Sequence, residues 1–258
     1  MNLLFWNLNN HSNYRYIKNC LYENNIDIAV FAEFHNTDFD MLQRNSCYRI
    51  INGFGGCQKI IALSKQPVVM RVRQEQSRYI IYEVDYQDEK FVFVGAHLQD
   101  QRSSDDSIRL ETISILKLDV HKLEIKLKTK NIIILGDLNS NPYDRELLQM
   151  NAFDAVLFRS VINRAETHKV NGVVRHRLYN PILHFISEDT ENYGSFYYDN
   201  GAFSPIWHCL DQVLLSKSLS SRITDLEYLK YIGTVSLMNS ARPKAKISDH
   251  LPLFVKIS

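Results

Sequence analysis

Cysteine is scarce: Cys20, Cys47, Cys57 and Cys209 are the only four thiols in 258 residues, with no Cys-x-x-Cys pair and no His spacing suited to zinc. Reduced, mostly buried thiols are therefore expected, rather than a disulfide framework or a structural zinc site. Net charge is nearly absent as well, +1 from 30 Lys+Arg against 29 Asp+Glu. That balance excludes a generally basic nucleic-acid coat, a polybasic membrane binder and an acidic disordered tail. No apolar run approaches the roughly 18 residues of a membrane span. The start, Met1-Asn2-Leu3-Leu4-Phe5-Trp6-Asn7, lacks the basic and apolar stretches of a secretory signal, so a cytoplasmic protein is expected. Glycine (9) and proline (6) are few, and neither a repeat nor a Gly/Pro/Ser linker divides the chain. One domain over residues 1–258 is the expectation.

What the chain does have, 45% hydrophobic against 23% charged residues, is enough apolar side chain for one large core. Short β-branched and aromatic runs recur at Leu3–Leu8, Ile26–Ala32, Lys59–Leu63, Val68–Val72, Tyr79–Val84, Phe91–Ala96, Ile132–Leu135, Val213–Leu215 and Leu253–Ile257, and each reads as a strand. Helical patterns are fewer. The clearest starts at Ser104, carries Asp105 and Asp106 in its first turn and ends among Lys126, Lys128 and Lys130, which suits the helix dipole. Its expected buried stripe is Ile108, Thr112, Leu116, Val120, Leu123 and Leu127, with Arg109, Lys117, Lys122 and Lys126 in water. Tyr14–Asn24 and Tyr143–Met150 are weaker helices. Residues 151–207 read as long loops on the substrate side. Many strands and few helices point to sheets packed on each other with helices outside.

Polar residues end the apolar strands. Ile132-Ile133-Ile134-Leu135 runs into Gly136-Asp137-Leu138-Asn139, and the two-residue period places Asp137 and Asn139 on one side. Asn7 and Asn9, Glu33, and His97 end other strands in the same manner. Taken singly, an Asx turn, a solvated strand end or a hydrogen-bonded core histidine explains each of them. Near the carboxyl end, Asp211 adjoins a strand and Ser248-Asp249-His250 precedes the last one. Adjacent side chains diverge on extended backbone, so the expected partner of His250 is the distant Asp211. Glu33 and Asp249 then offer hard oxygen ligands, with an amide from Asn7 or Asn9, a set that suits Mg²⁺ or Mn²⁺.

Six motifs in order, Phe5-Trp6-Asn7-Leu8-Asn9, Ala32-Glu33, Gly95-Ala96-His97-Leu98, Gly136-Asp137-Leu138-Asn139, Leu210-Asp211-Gln212 and Ser248-Asp249-His250, resemble those of the endonuclease/exonuclease/phosphatase superfamily over nearly the whole chain. The resemblance implies an α+β fold, a four-layer α/β/β/α sandwich of two mixed sheets with outer helices and the site at one end. It implies that Glu33 is the principal metal ligand, with Asn7, Asn9 and Asp249 near the metal or a second metal position. Asp137 resembles the residue that aligns or deprotonates the attacking water, and Asn139 the one that steadies it. His250, held by Asp211, resembles the phosphate-binding histidine. Ala96-His97-Leu98 resembles the deoxyribonuclease-, deadenylase- and phosphatase-like branches and places His97 in the site, whereas Phe34-His35-Asn36 departs from the abasic-site pattern.

Local charge is uneven. Phe158–Arg177 carries five basic residues against one acid, and residues 178–211 carry five acids and no Lys or Arg. The basic stretch, Arg175 and Arg177 above all, is a candidate phosphate-contacting loop, together with Arg242, Lys244 and Lys246. Arg109 falls where the superfamily often has an arginine and is a further candidate substrate contact. Tyr193, Phe196, Tyr197, Tyr198, Phe203 and Trp207 suit either base stacking or packing beneath loops. The expected function is divalent-metal-dependent hydrolysis of nucleic acid, DNA ahead of RNA. Hydrolysis of an inositol phosphate, phospholipid head group or other small phosphoester is the alternative, followed by a non-catalytic binding module.

Overall fold

All nine apolar runs form strands. The structure, a computed structural model, describes residues 1–101, 105–170, 172–186, 191, 193–199, 206–239, 242–244 and 246–258. In chain order the strands of the two large sheets are β1 (Asn2–Asn7), β2 (Ile28–Ala32), β3 (Tyr48–Ile51), β4 (Ile60–Lys65), β5 (Val69–Gln76), β6 (Tyr79–Tyr86), β7 (Glu89–His97), β8 (Ile132–Asp137), β9 (Ala155–Val156), β10 (Leu178–Tyr179), β11 (Asp211–Leu215), β12 (Ile223–Tyr228) and β13 (Leu253–Ile257). A six-stranded sheet has the order β12-β13-β1-β2-β4-β3, and a seven-stranded sheet the order β5-β6-β7-β8-β11-β10-β9. Both are mixed: β1 runs parallel to β2, and β7 to β8, among antiparallel neighbours.

Four layers result. Helices α1 (Tyr14–Glu23) and α2 (Asn36–Asn45) cover the outer face of the six-stranded sheet, where Phe39 packs 5.2 Å from the Phe31 ring. The long α3 (Asp106–Leu127) covers the seven-stranded sheet, setting Ile113, Leu116, Val120 and Leu123 against Val92, Val94, Ile134 and Leu214. Phe93, Ile133, Leu135 and Val213 point the other way, into the core between the sheets. Strands such as β2 and β8 are buried at every position because both faces are covered, which explains their unbroken apolar runs. Gly95 lets the sheets approach: a Cβ there would lie 3.0 Å from Val30. At Gly136 a Cβ would lie 2.0 Å from the Ala96 carbonyl oxygen, so no side chain fits one residue before Asp137.

Three expectations need correction. The buried stripe of α3 is rotated: Ile108 is 52% exposed, Arg109 is 2% exposed, and Lys117 is pushed down to about 8 by burial. Apolar residues occupy two opposite sides of α3, so periodicity alone does not choose which side turns inward. The helix is capped by Asp105, whose side chain accepts from the Ser107 amide; Ser104, its expected start, lies outside the described residues. Residues 151–207 are more regular than loops, supplying β9 and β10 to the seven-stranded sheet and a hairpin, Thr167–Val170 with Val173–His176. The helix expected at Tyr143–Met150 shrinks to Arg145–Leu148, and the polar α2 gave no apolar period to find.

All four cysteines are free, three of them buried. Among the described residues, no helix is long and apolar enough to cross a membrane.

Candidate active site

Strand register assembles half of the site. On parallel β7 and β8, His97 stands opposite Asp137, and on antiparallel β8 and β11, Asp137 stands opposite Asp211. All three continue the core-facing rows Phe93, Leu135 and Val213 by the period of two, so they form one polar row where the apolar core stops. The six-stranded sheet brings the other half. Asn7 ends β1 beside Ala32, and its Nδ2 donates to Asp137 Oδ2 at 3.1 Å, bridging the sheets.

The chain then bends through unusual backbone. Asn9, Glu33 and Asn139 all have left-handed φ, at 47°, 48° and 49°. Asparagine tolerates this region; for glutamate it costs on the order of 1 kcal/mol, a strain that tends to persist at functional positions. The turn at Glu33 aims its carboxylate back over the strand end. Glu33 Oε1 lies 3.3 Å from His97 Nε2 and 3.5 Å from Asn7 Nδ2, while Oε2 accepts from Asn10. Asn139 closes on Asp137 through its backbone amide, 2.9 Å from Oδ1, and its side chain donates to the Leu98 carbonyl.

His250 is the most constrained group. Its Nδ1 lies 2.8 Å from Asp211 Oδ2, its amide is held by Ser248 Oγ, and Trp6 Nε1 donates to its carbonyl. Phe196 bridges to it and packs at 4.9 Å from its ring. Burial opposes the imidazolium, but the Asp211 carboxylate, with Asp137 and Asp249 behind it, pushes the pKa up to about 10. The Asp211–His250 pair therefore keeps its proton on the imidazole at neutral pH. His97 goes the other way: burial lowers its pKa despite Asp137 and Glu33, and a neutral ring results.

These groups line a cleft of about 440 Å³. A family profile for the endonuclease/exonuclease/phosphatase family matches residues 4–250. The chain belongs to this family. Its members are phosphoester hydrolases that generally depend on a divalent metal. Solved structures similar in fold include the mannosyl-6-phosphatase of Bacteroides thetaiotaomicron (12% identity, 100% of this chain and 99% of that one, TM-score 0.65). They also include D. rerio TDP2 humanised by 14 mutations (13% identity, 100% and 98%, TM-score 0.59). A third is the 3'-5' exonuclease NExo of Neisseria meningitidis (17% identity, 100% and 100%, TM-score 0.58). No curated protein sequence matches the chain.

Within this family member, Asn7, Asn9, Glu33, His97, Asp137, Asn139, Asp249 and His250 all line the cleft, with Asp211 directly behind His250. The donor set suits a hard divalent cation. Glu33 keeps 30% of its side chain exposed toward the cleft, and Asp249 accepts no hydrogen bond from any described residue. Asp137, Asp211 and His250 also bring ligand atoms within 4.8 Å of one another. Within that trio His250 Nδ1 is already engaged by Asp211 Oδ2 at 2.8 Å, the geometry of a hydrogen-bonded Asp–His pair.

Three expected substrate contacts are elsewhere. Arg109 is buried behind Asn139: it pairs with Glu146 at 3.0 Å and donates to Ser140 Oγ and the Asn139 carbonyl. Arg175 packs beside Lys117 and His121 of α3 near Ile132, at the opposite end of β8 from Asp137. Arg177 donates to the Ala165 carbonyl and lies 4.0 Å from Asp154. A local run of positive charge says nothing about which side of a sheet it covers.

Two cleft cations escaped the sequence reading, Lys59 and Arg78, and neither forms an ion pair among the described residues. The signal for Arg78 was present. A two-residue turn, Gln87-Asp88, both with positive φ, joins β6 to β7 and sets Tyr79 opposite Ala96, which carries Arg78 to His97. Of the expected stacking aromatics, Phe196 and Tyr198 line the cleft with rings stacked at 6.4 Å. Tyr193 and Tyr197 pack on Trp207, and Phe203 lies outside the described residues.

Proposed function

We propose that the whole chain works as one Mg²⁺- or Mn²⁺-dependent phosphodiesterase domain that hydrolyses nucleic acid, DNA in preference to RNA. The observation that carries this reading is the convergence, in one cleft, of open carboxylates (Glu33, Asp249) and Asp137 with an imidazole held by a buried carboxylate (His250 on Asp211). Lys59 and Arg78 add positive charge to the cleft, and the Phe196–Tyr198 stack supplies a flat surface for a base.

Glu33 and Asp249 would hold the cation, with Asn9 beside it, and when bound it neutralises charge on the phosphoryl oxygens. Asp137 receives the proton of the attacking water. Its carboxylate is fixed by Asn7 and by the Asn139 amide, so it is positioned before substrate arrives. The free Nε2–H of His250 donates to a phosphoryl oxygen as negative charge grows there. A donor of that kind typically lowers the barrier by about 3–4 kcal/mol. His97, neutral and beside Glu33, positions that carboxylate. Arg109 positions the Asn139 turn from behind.

The test is a panel of single- and double-stranded DNA and RNA incubated with purified protein and Mg²⁺ or Mn²⁺, with Glu33→Ala as the blank. Metal-dependent cleavage absent from the blank is expected; substrates equally intact in both samples would sink the reading. One observation favours a small phosphoester instead: with Arg109, Arg175 and Arg177 out of the cleft, Lys59 and Arg78 are the Lys and Arg side chains that line it among the described residues. Turnover of small phosphoesters that excess DNA does not inhibit would decide for that substrate class.

A further inference from the structure

The outer side of α3 carries a second apolar stripe that nothing in the described structure covers. Ile108, Ile115, Leu118 and Ile125 are 52%, 40%, 50% and 65% exposed, and they stand opposite the stripe that packs on the sheet. Their spacing is seven, three and seven residues, the a/d pattern of a coiled-coil seam. The two remaining seam positions are Glu111 and Lys122, both exposed. Scattered exposed apolar residues need no explanation, but a seam of four on one 22-residue helix does.

The charges choose the occupant. The geometry points to a second copy of this chain, docked α3 against α3 in antiparallel orientation about a two-fold axis between Leu116 and Lys117. An antiparallel seam pairs a with d positions. Ile108 then meets Ile125 of the second copy, Ile115 meets Leu118, and Glu111 meets Lys122, each twice by symmetry. Further out, Asp105 at one helix end faces Lys126 of the second copy, both at flanking e positions. No like charges oppose one another in this register. A parallel register would instead set Glu111 on Glu111 and Lys122 on Lys122. Lys122 is free to exchange partners, since its present ion pair with Asp119, at 3.2 Å, is on a side chain 75% exposed. Glu111 has no ion pair among the described residues. Val174 of the neighbouring hairpin borders the same hollow as Leu118 and widens the apolar contact. The cleft lies beside the amino end of α3, so the antiparallel pair carries its two clefts at opposite ends, both open.

One helix pair is a smaller contact than a standard stable interface, so a reversible dimer with a micromolar dissociation constant is expected. Sedimentation velocity of the full chain, from low-micromolar to near-millimolar concentration, tests it. Glu111→Lys and Lys122→Glu should each weaken dimerisation at least about tenfold, because each opposes like charges twice. The double variant Glu111→Lys/Lys122→Glu should restore wild-type association, which a misfolded surface or a different interface would not do. Circular dichroism melts confirm that the single variants remain folded. A monomer at every concentration overturns the proposal. So does a dimer that the single variants leave unchanged, or one that the double variant fails to rescue.

Discussion

Replacing Asp211 with Asn removes one negative charge from a buried site while keeping the side chain's shape. Wild-type His250 is pushed up to about 10, with burial opposing that rise and Asp211 the strongest cause in its favour. Without that carboxylate, burial is opposed only by the weaker pull of Asp137 and Asp249, and the imidazole pKa falls back toward its ordinary 6.5. For a full return to 6.5, the imidazolium fraction at about pH 8 falls from ~99% to ~3%, a loss of up to roughly 30-fold. The loss grows about tenfold per pH unit until the wild-type group itself begins to titrate near pH 10, and it is slight below about pH 6. The ratio of wild-type to variant kcat/KM should therefore climb with pH over this range. Histidine-selective NMR titration provides a readout that does not need the substrate. Stability follows the same sign: a folded pKa above the unfolded one contributes stability below 6.5 that is lost as pH rises through about 10. A flat activity ratio between pH 6 and pH 9, or an NMR titration of His250 that Asp211→Asn does not move, would refute the charge coupling at the centre of the site.

Three further outcomes are expected. Glu33→Asn should abolish turnover and weaken Mn²⁺ binding in calorimetry, yet raise Tm by about 2–4 °C, because asparagine relieves roughly 1 kcal/mol of left-handed strain. Arg109→Ala leaves Glu146 buried without its partner and should cost about 3–5 kcal/mol of stability. Because Arg109 acts on the Asn139 turn, its residual activity at a permissive temperature should show a lower kcat with KM little changed; a raised KM alone would make it a substrate contact. Lys59→Ala and Arg78→Ala should each raise KM for DNA, leave kcat nearly unchanged and reduce the slope of log affinity against log salt by about 1. An unchanged salt slope would remove both from the phosphate path.

The strand ends that build the cleft were legible because strands covered on both faces are unbroken apolar runs, in which a terminal polar residue stands out. Asn7, Glu33, His97, Asp137 and Asp211 each interrupt an apolar run where core gives way to water. The Asp211–His250 partnership also followed from local geometry, since neighbouring Asp249 and His250 diverge; the structure joins His250 to Asp211 at 2.8 Å. Arg78 was within reach through the Gln87-Asp88 turn.

Other features depended on which surfaces meet. Helical periodicity sets residues relative to one another but does not orient the helix, so α3, apolar on two sides, concealed that Arg109 turns inward and Ile108 outward. The hairpin carrying Arg175 docks on α3 instead of over the cleft, a choice made by contacts distant in sequence. The left-handed turn at Glu33 has no composition signal, because it is imposed by the packing around it. The sequence by itself determined the polar constellation and the layered fold, through short apolar runs that each end in a polar residue. Only the tertiary structure decided which charges face the cleft, because that depends on how two sheets and a helix share one interior.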